Sequence, residues 1–142
     1  MTIATAESLT GGRLAAALTT VPGASAAYVG GVVAYAPSVK QDLLGVPAAL
    51  VEAYGVVSPE CARAMALGVR AATGATYGLS TTGVAGPEAS EGKPVGTVFV
   101  GLDGPGGTTA LALELTGDRT AIQDRTVVEA LEALLERLTA SP

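Results

Sequence analysis

Apolar and polar positions alternate along this chain in short runs of two different periods. Thr2 to Ala6 is apolar and β-branched over a strand's length, and Glu7-Ser8-Leu9-Thr10-Gly11-Gly12 interrupts it with polar and glycine residues. An apolar run bounded by turn residues predicts a buried strand entering a tight turn. Arg13 to Thr19 predicts a helix, ended by Pro22-Gly23. Tyr28 to Tyr35 predicts a second strand, in which Gly30-Gly31 marks a bulge or a close backbone approach. Pro37 to Leu44 predicts a short helix with proline in its first turn and Gly45 as its stop. A further short helix spans about Pro47 to Tyr54. Ser58-Pro59-Glu60 supplies a capping hydroxyl, a first-turn proline and a first-turn acid. The helix it opens carries Cys61, Met65, Val69 and Ala72 on one stripe and stops at Gly74.

The second half reads the same way. Ala75 to Ser80 predicts a strand, followed by the small-residue turn Thr81 to Pro87 and a polar, mobile loop from Glu88 to Gly92. Val95 to Leu102 and Thr108 to Leu115 predict a β-hairpin across Asp103 to Gly107. Asp118 caps a last helix, with Val128, Leu131, Leu135 and Leu138 at helical spacing. Alternating strands and helices, then a hairpin, then a helix predict an α/β fold: a mixed sheet covered by helices on both faces, in one domain over residues 1–142.

Composition limits the partners. Hydrophobic residues make up 49% of the chain and aromatics only 4%, so the core is built from Ala, Val and Leu, with glycine allowing close packing. The net charge of −5 and the absence of a basic stripe argue against nucleic acid. Residues 14–39 carry no charge, but Pro22, Gly23, Gly30 and Gly31 break the run. It reads as a helix, a turn and a strand rather than a membrane span. Met1 to Thr5 lacks a basic leader, and the lone Cys61 has no internal partner, so a reducing, cytoplasmic setting is expected.

The residue inventory limits the chemistry further. There is no histidine, which excludes Ser-His-Asp and Cys-His catalysis and any histidine zinc site. The acids are scattered singly, so no carboxylate pair is indicated. A hydroxyl with a lysine base remains, and Lys40 and Lys93 are the only lysines. Lys40 falls in the first turn of a predicted helix, where the helix dipole disfavours a cation and lowers its pKa. Ser25 follows a Pro-Gly turn, Tyr35 ends a strand, and Thr81, Thr82 and Gly83 are candidate oxyanion donors. The strand–turn–helix at Ser8 to Gly12 offers backbone N–H groups to an anion. By position alone, a solvated Lys40 and a capping Ser25 are the ordinary readings, and Tyr35 could simply pack.

Several of these segments together resemble one known family. Ala6-Glu7-Ser8-Leu9-Thr10-Gly11-Gly12 is similar to the AES-x-TGG signature of the CinA C-terminal domain, a family that includes stand-alone nicotinamide mononucleotide deamidases. Gly23-Ala24-Ser25, Tyr35 with Lys40, Gly45-Val46, Gly55 to Ser58, Gly83 to Pro87, Lys93 to Val98 and Gly117-Asp118-Arg119 match further motifs in the same order. The resemblance implies a three-layer α/β/α sandwich with a mixed, mainly parallel sheet. It implies hydrolysis of the nicotinamide mononucleotide carboxamide to nicotinic acid mononucleotide and ammonia, with no metal or cofactor.

By the same resemblance, Ser25 and Lys40 are the catalytic nucleophile and base, and Tyr35 assists proton transfer. Ser8, Thr10, Gly11, Gly12, Thr82 and Gly83 are expected to bind substrate, the signature loop taking its phosphate. The alternative is a catalytically weak nucleotide-binding or assembly domain, or a phosphate-binding domain with another substrate. Leu9 stands where the family often has cysteine, and Gln123 where it usually has arginine. The chain also begins almost at the first strand, without the family's preceding helix. Pairing of two copies would cover the apolar surface this leaves, so a homodimer is expected.

Overall fold

The computed structural model describes residues 1–140. Five strands form one sheet: β1 (Ile3–Glu7), β2 (Tyr28–Val33), β3 (Tyr77–Gly83), β4 (Thr97–Gly104) and β5 (Gly107–Glu114), in the order β2-β1-β3-β4-β5. β1 pairs parallel with β2 and β3, while β4 pairs antiparallel with both β3 and β5. Only β4 is therefore reversed, and the sheet is mixed but mainly parallel in direction. The helices are α1 (Arg13–Thr19), α2 (Pro37–Leu44), α3 (Ala48–Tyr54), α4 (Pro59–Thr73) and α5 (Arg119–Thr139). A 3-10 turn over Ala24–Ala26, absent from the sequence reading, precedes β2.

Alternation along β1 builds two cores from one strand. Ala4 and Ala6 face α2 and α4 in a cluster with Leu44, Val46, Cys61, Met65 and Val69. Ile3 faces the other way, packing with Leu14 of α1, Leu79, Val100 and the α5 residues Ala130 and Leu134. β1 is buried along its whole length because the sheet and both helix layers surround it. The result is three layers, α/β/α.

The expected strand at Ala75 to Ser80 runs on through Thr81, Thr82 and Gly83, which pair with β4 rather than forming a turn. The bulge expected at Gly30-Gly31 is present: Ile3 faces Tyr28, but Ala4 faces Gly30, so Val29 is skipped. Two helix faces are rotated from the expected ones. Ala72 is exposed, and α4 buries Ala62 and Ala66 beside Cys61, Met65 and Val69. On α5, Val128 and Leu135 are exposed, while Ile122, Thr126, Ala130 and Leu134 are buried. The buried row is i, i+4 spaced, but a threonine and an alanine hide it among stronger apolar residues. Thr126 loses nothing by burial, since its hydroxyl donates to the Ile122 carbonyl at 2.7 Å.

α4 lies unusually close to the sheet. A Cβ at Gly101 would stand 2.2 Å from the Ala62 carbonyl oxygen and 2.4 Å from Ser80 Oγ. The Ser80 hydroxyl donates to that same Ala62 carbonyl at 2.6 Å, so neither group can withdraw cheaply. Gly101→Ala is expected to destabilise the fold by about 2 kcal/mol, the usual cost of forcing an extra carbon into a packed interior. Urea unfolding of the variant beside wild type checks this.

Candidate active site

The end of β1 organises the site. Glu7 is 1% exposed and its carboxylate takes three hydrogen bonds: from Thr10 Oγ1 at 2.6 Å, Leu14 N–H at 2.8 Å and Ala15 N–H at 3.0 Å. It caps α1 across the turn, its charge met by the positive helix end. Thr10 is fully buried and also bonds Thr81 Oγ1 at 2.8 Å. Gly11 and Gly12 adopt φ of 55° and 102°, which lets the chain reverse into α1. Glu7 thus takes the Leu14 and Ala15 N–H groups at the start of α1, so these are not free for a substrate anion. Thr10, Gly11 and Gly12 build the turn and are not among the residues lining the cavity beside it.

That turn holds Ser8 over Lys40. Lys40 sits in α2 and is 1% exposed. Its ammonium donates to Ser8 Oγ at 3.0 Å, to the Ala34 carbonyl at 2.7 Å and to the Tyr35 carbonyl at 3.1 Å. Burial pushes its pKa below the ordinary 10.5, opposed by the charges of Cys61 and Glu91. Burial likewise pushes the Cys61 thiol up to about 11. A lysine depressed by the helix dipole was expected from the sequence; desolvation is the leading cause in the structure.

Ser25 is not part of this arrangement. It lies on the exposed 3-10 turn before β2, and lines a separate cavity with Thr19, Val21, Pro22, Gly23, Ala24 and Tyr28. Lys40 follows β2 and Ser25 precedes it, so the six-residue strand separates them, by about 20 Å. The resemblance implied a Ser25–Lys40 pair, but in this structure an extended strand lies between the two residues. The structure pairs Lys40 with Ser8 instead, from 32 residues away.

The cavity at this pair has a volume of about 220 Å³. Ser8, Leu9, Tyr35, Lys40, Thr82 and Gly83 contribute to its lining, with Val56 and Val57 on one wall and Arg119 at another. Tyr35 is 61% exposed, and its hydroxyl accepts from Arg119 at 3.0 Å. It reaches Lys40 through its backbone carbonyl. Thr82 Oγ1 donates to the Val56 carbonyl at 2.7 Å.

Two residues outside the sequence-based site matter. Arg119 donates to the Gly86 carbonyl as well as to Tyr35, and brings a second cation to the cavity beside Lys40. Its signal in the sequence was an arginine in a helix's first turn, where the dipole disfavours it. Gln123 is 6% exposed, and its amide donates to the Leu9 carbonyl at 2.8 Å, bracing the Ser8 turn from α5.

The fold is a mixed-sheet α/β domain in which a buried lysine donates to a serine hydroxyl at the end of a parallel strand. The CinA C-terminal domain model matches residues 1–138, and the chain belongs to that family. It is 55% identical over 141 residues to a CinA-like protein of Frankia casuarinae, covering 99% of this chain and 33% of that protein. A CinA-like protein of Anaeromyxobacter is 54% identical over 133 residues, covering 93% of this chain and 32% of that protein. The chain thus spans about a third of the length of these relatives. The crystal structure of competence damage-inducible protein A from Klebsiella pneumoniae superposes with a TM-score of 0.95 at 36% identity, covering 99% of this chain and 88% of that one. The structure of the competence/damage inducible protein CihA from Agrobacterium tumefaciens gives 0.91 at 37% identity, covering 95% and 84%.

Burial of Lys40 has a consequence for stability. Its folded pKa lies below the unfolded one, so over the interval between them the unfolded chain binds the extra proton. Stability from this group therefore rises with pH across that interval, up to the ordinary value of 10.5. Denaturant midpoints measured from neutral pH upward are expected to rise for wild type relative to Lys40→Met.

Proposed function

We propose that this chain is an amidohydrolase that uses Ser8 as nucleophile and Lys40 as base, and that it deamidates nicotinamide mononucleotide. The observation that carries the reading is the 3.0 Å approach of Lys40 Nζ to Ser8 Oγ by a lysine that is 1% exposed. A neutral lysine amine has two N–H donors and one lone pair. The Ala34 and Tyr35 carbonyls accept the two donors, which leaves the lone pair for the Ser8 hydroxyl proton. The same three partners satisfy the three donors of the protonated form, so the proton can come and go without rearrangement.

In the reaction, neutral Lys40 takes the Ser8 proton as Ser8 Oγ bonds to the carboxamide carbon. The carbonyl oxygen becomes an oxyanion. Two backbone donors suit it. The Leu9 N–H has no hydrogen bond among the described residues. Val84 N–H donates to Thr97 on β4, so strand alternation turns the Gly83 N–H away from β4, toward the Ser8 turn. Collapse of the intermediate breaks the C–N bond, and the Lys40 ammonium returns its proton to the departing nitrogen, releasing ammonia. Water, deprotonated by Lys40, then cleaves the acyl–Ser8 ester. Tyr35 acts at the cavity mouth, where Arg119 holds its hydroxyl.

Substrate charge fits the lining. In a protein of net charge −5, the cavity gathers Lys40 and Arg119 against the single carboxylate of Glu88. Arg119, rather than the Ser8 to Gly12 turn, is suited to the phosphate. Among the described residues no group of three or more His, Cys, Asp or Glu gathers. No described helix is long and apolar enough to cross a membrane.

Ammonia release from nicotinamide mononucleotide tests the reading. Ser8→Ala and Lys40→Ala are each expected to lose about 10³-fold or more in kcat/KM, the scale of a lost nucleophile or general base. Ser25→Ala is expected to keep turnover near wild type. Because the base must be neutral, kcat/KM rises with pH through the pKa of Lys40, which lies below 10.5. Full activity in Ser8→Ala would overturn the assignment. An inactive but folded wild type would favour the binding or assembly alternative.

A further inference from the structure

The polar loop after Pro87, expected to be mobile, is tied down. Ser90 and Lys93 exchange backbone hydrogen bonds of 3.1 and 2.8 Å. Between them Glu91 adopts φ 54°, a left-handed conformation uncommon for any residue with a Cβ. Such an outlier persists only where its surroundings hold it. The hold comes from across the cavity rim. Glu91 Oε2 accepts from Val56 N–H at 3.0 Å, and Oε1 from Val57 N–H at 2.8 Å. Lys93 Nζ donates to the Val57 carbonyl. From the sheet side, Thr82 Oγ1 donates to the Val56 carbonyl.

The backbone groups of Val56 and Val57 are thus satisfied by three side chains rather than by a helix or strand. The segment has no regular structure of its own, yet both valines line the cavity that holds Ser8 and Lys40. The carboxylate is pressed against the chain here: a Cβ on Gly55 would stand 2.6 Å from Glu91 Oε1. A carboxylate is the only side-chain group that accepts from two adjacent amides while offering no donor in return.

We propose that Glu91 is a positioning residue for substrate binding, which with Lys93 clamps Val56 and Val57 as one wall of the Ser8–Lys40 cavity. The kinetic part of this proposal rests on the amidohydrolase reading. The structural part does not. Glutamine at this position keeps one acceptor but turns an NH2 toward the second amide, and alanine offers neither. The hold on the wall therefore falls in the order Glu, Gln, Ala.

Backbone amide exchange of the unliganded chain tests the clamp. In Glu91→Ala, Val56 and Val57 are expected to exchange about tenfold faster or more, with core amides of α4 such as Val69 unchanged. Lys93→Met is expected to loosen the same segment less. In steady-state hydrolysis of nicotinamide mononucleotide, Glu91→Ala is expected to raise KM roughly tenfold while kcat stays within about threefold, with Glu91→Gln between. Unchanged protection of Val56 and Val57, faster exchange spread evenly through α4 and β3, or a loss confined to kcat would each overturn the proposal. A wild type without turnover would refute the amidohydrolase reading alone, and the exchange measurement, which needs no substrate, would then decide the clamp.

Discussion

The constraint on which the rest depends is the burial of one lysine. Lys40 is 1% exposed and joins three parts of the chain at one nitrogen: the Ser8 turn after β1, and the Ala34 and Tyr35 carbonyls after β2. A buried ammonium without partners is strongly unfavourable. Full satisfaction of its three donors therefore fixes how the ends of β1 and β2 meet α2. The arrangement that lets the fold tolerate the lysine also brings it against a serine hydroxyl and favours its neutral form.

The surrounding structure keeps that meeting point rigid. Glu7 anchors the Ser8 turn to the start of α1, and Gln123 braces it from α5. Both are nearly fully buried polar side chains that hydrogen-bond backbone, Glu7 taking a further bond from Thr10 Oγ1. On the far side, Thr82 and Glu91 hold Val56 and Val57. In the sequence Glu7 stood out as part of the signature, Thr82 as a substrate-binding candidate and Gln123 as a departure from the family pattern, but what each holds was not legible. Gln123 supports the turn through its contact with the Leu9 carbonyl.

Much of the fold was legible because its signals are local. The caps at Ser58 and Asp118 accept from the backbone N–H three residues on, at Cys61 and Ala121, as their side chains require. Gly45 and Gly74 take left-handed conformations at helix ends. The Gly30-Gly31 irregularity appears as a register shift. The faces of α4 and α5 were less legible, because Ala62, Ala66, Thr126 and Ala130 carry little hydrophobic signal. They are buried because a small residue is what a close helix–sheet contact demands.

The sequence alone determined the element order, the mixed α/β class, the exclusion of histidine-based chemistry and the choice of Lys40 as the candidate base. It also carried the family, in motifs spread along nearly its whole length. Only the tertiary structure decided which hydroxyl meets that lysine. Ser25 is nearer in sequence, but an extended strand carries it to the opposite end of the sheet. Ser8 is farther in sequence, but parallel pairing of β1 with β2 brings both strand ends to one edge. Sequence distance measures chain length between residues, whereas a parallel sheet aligns like ends of strands whatever the length of chain joining them.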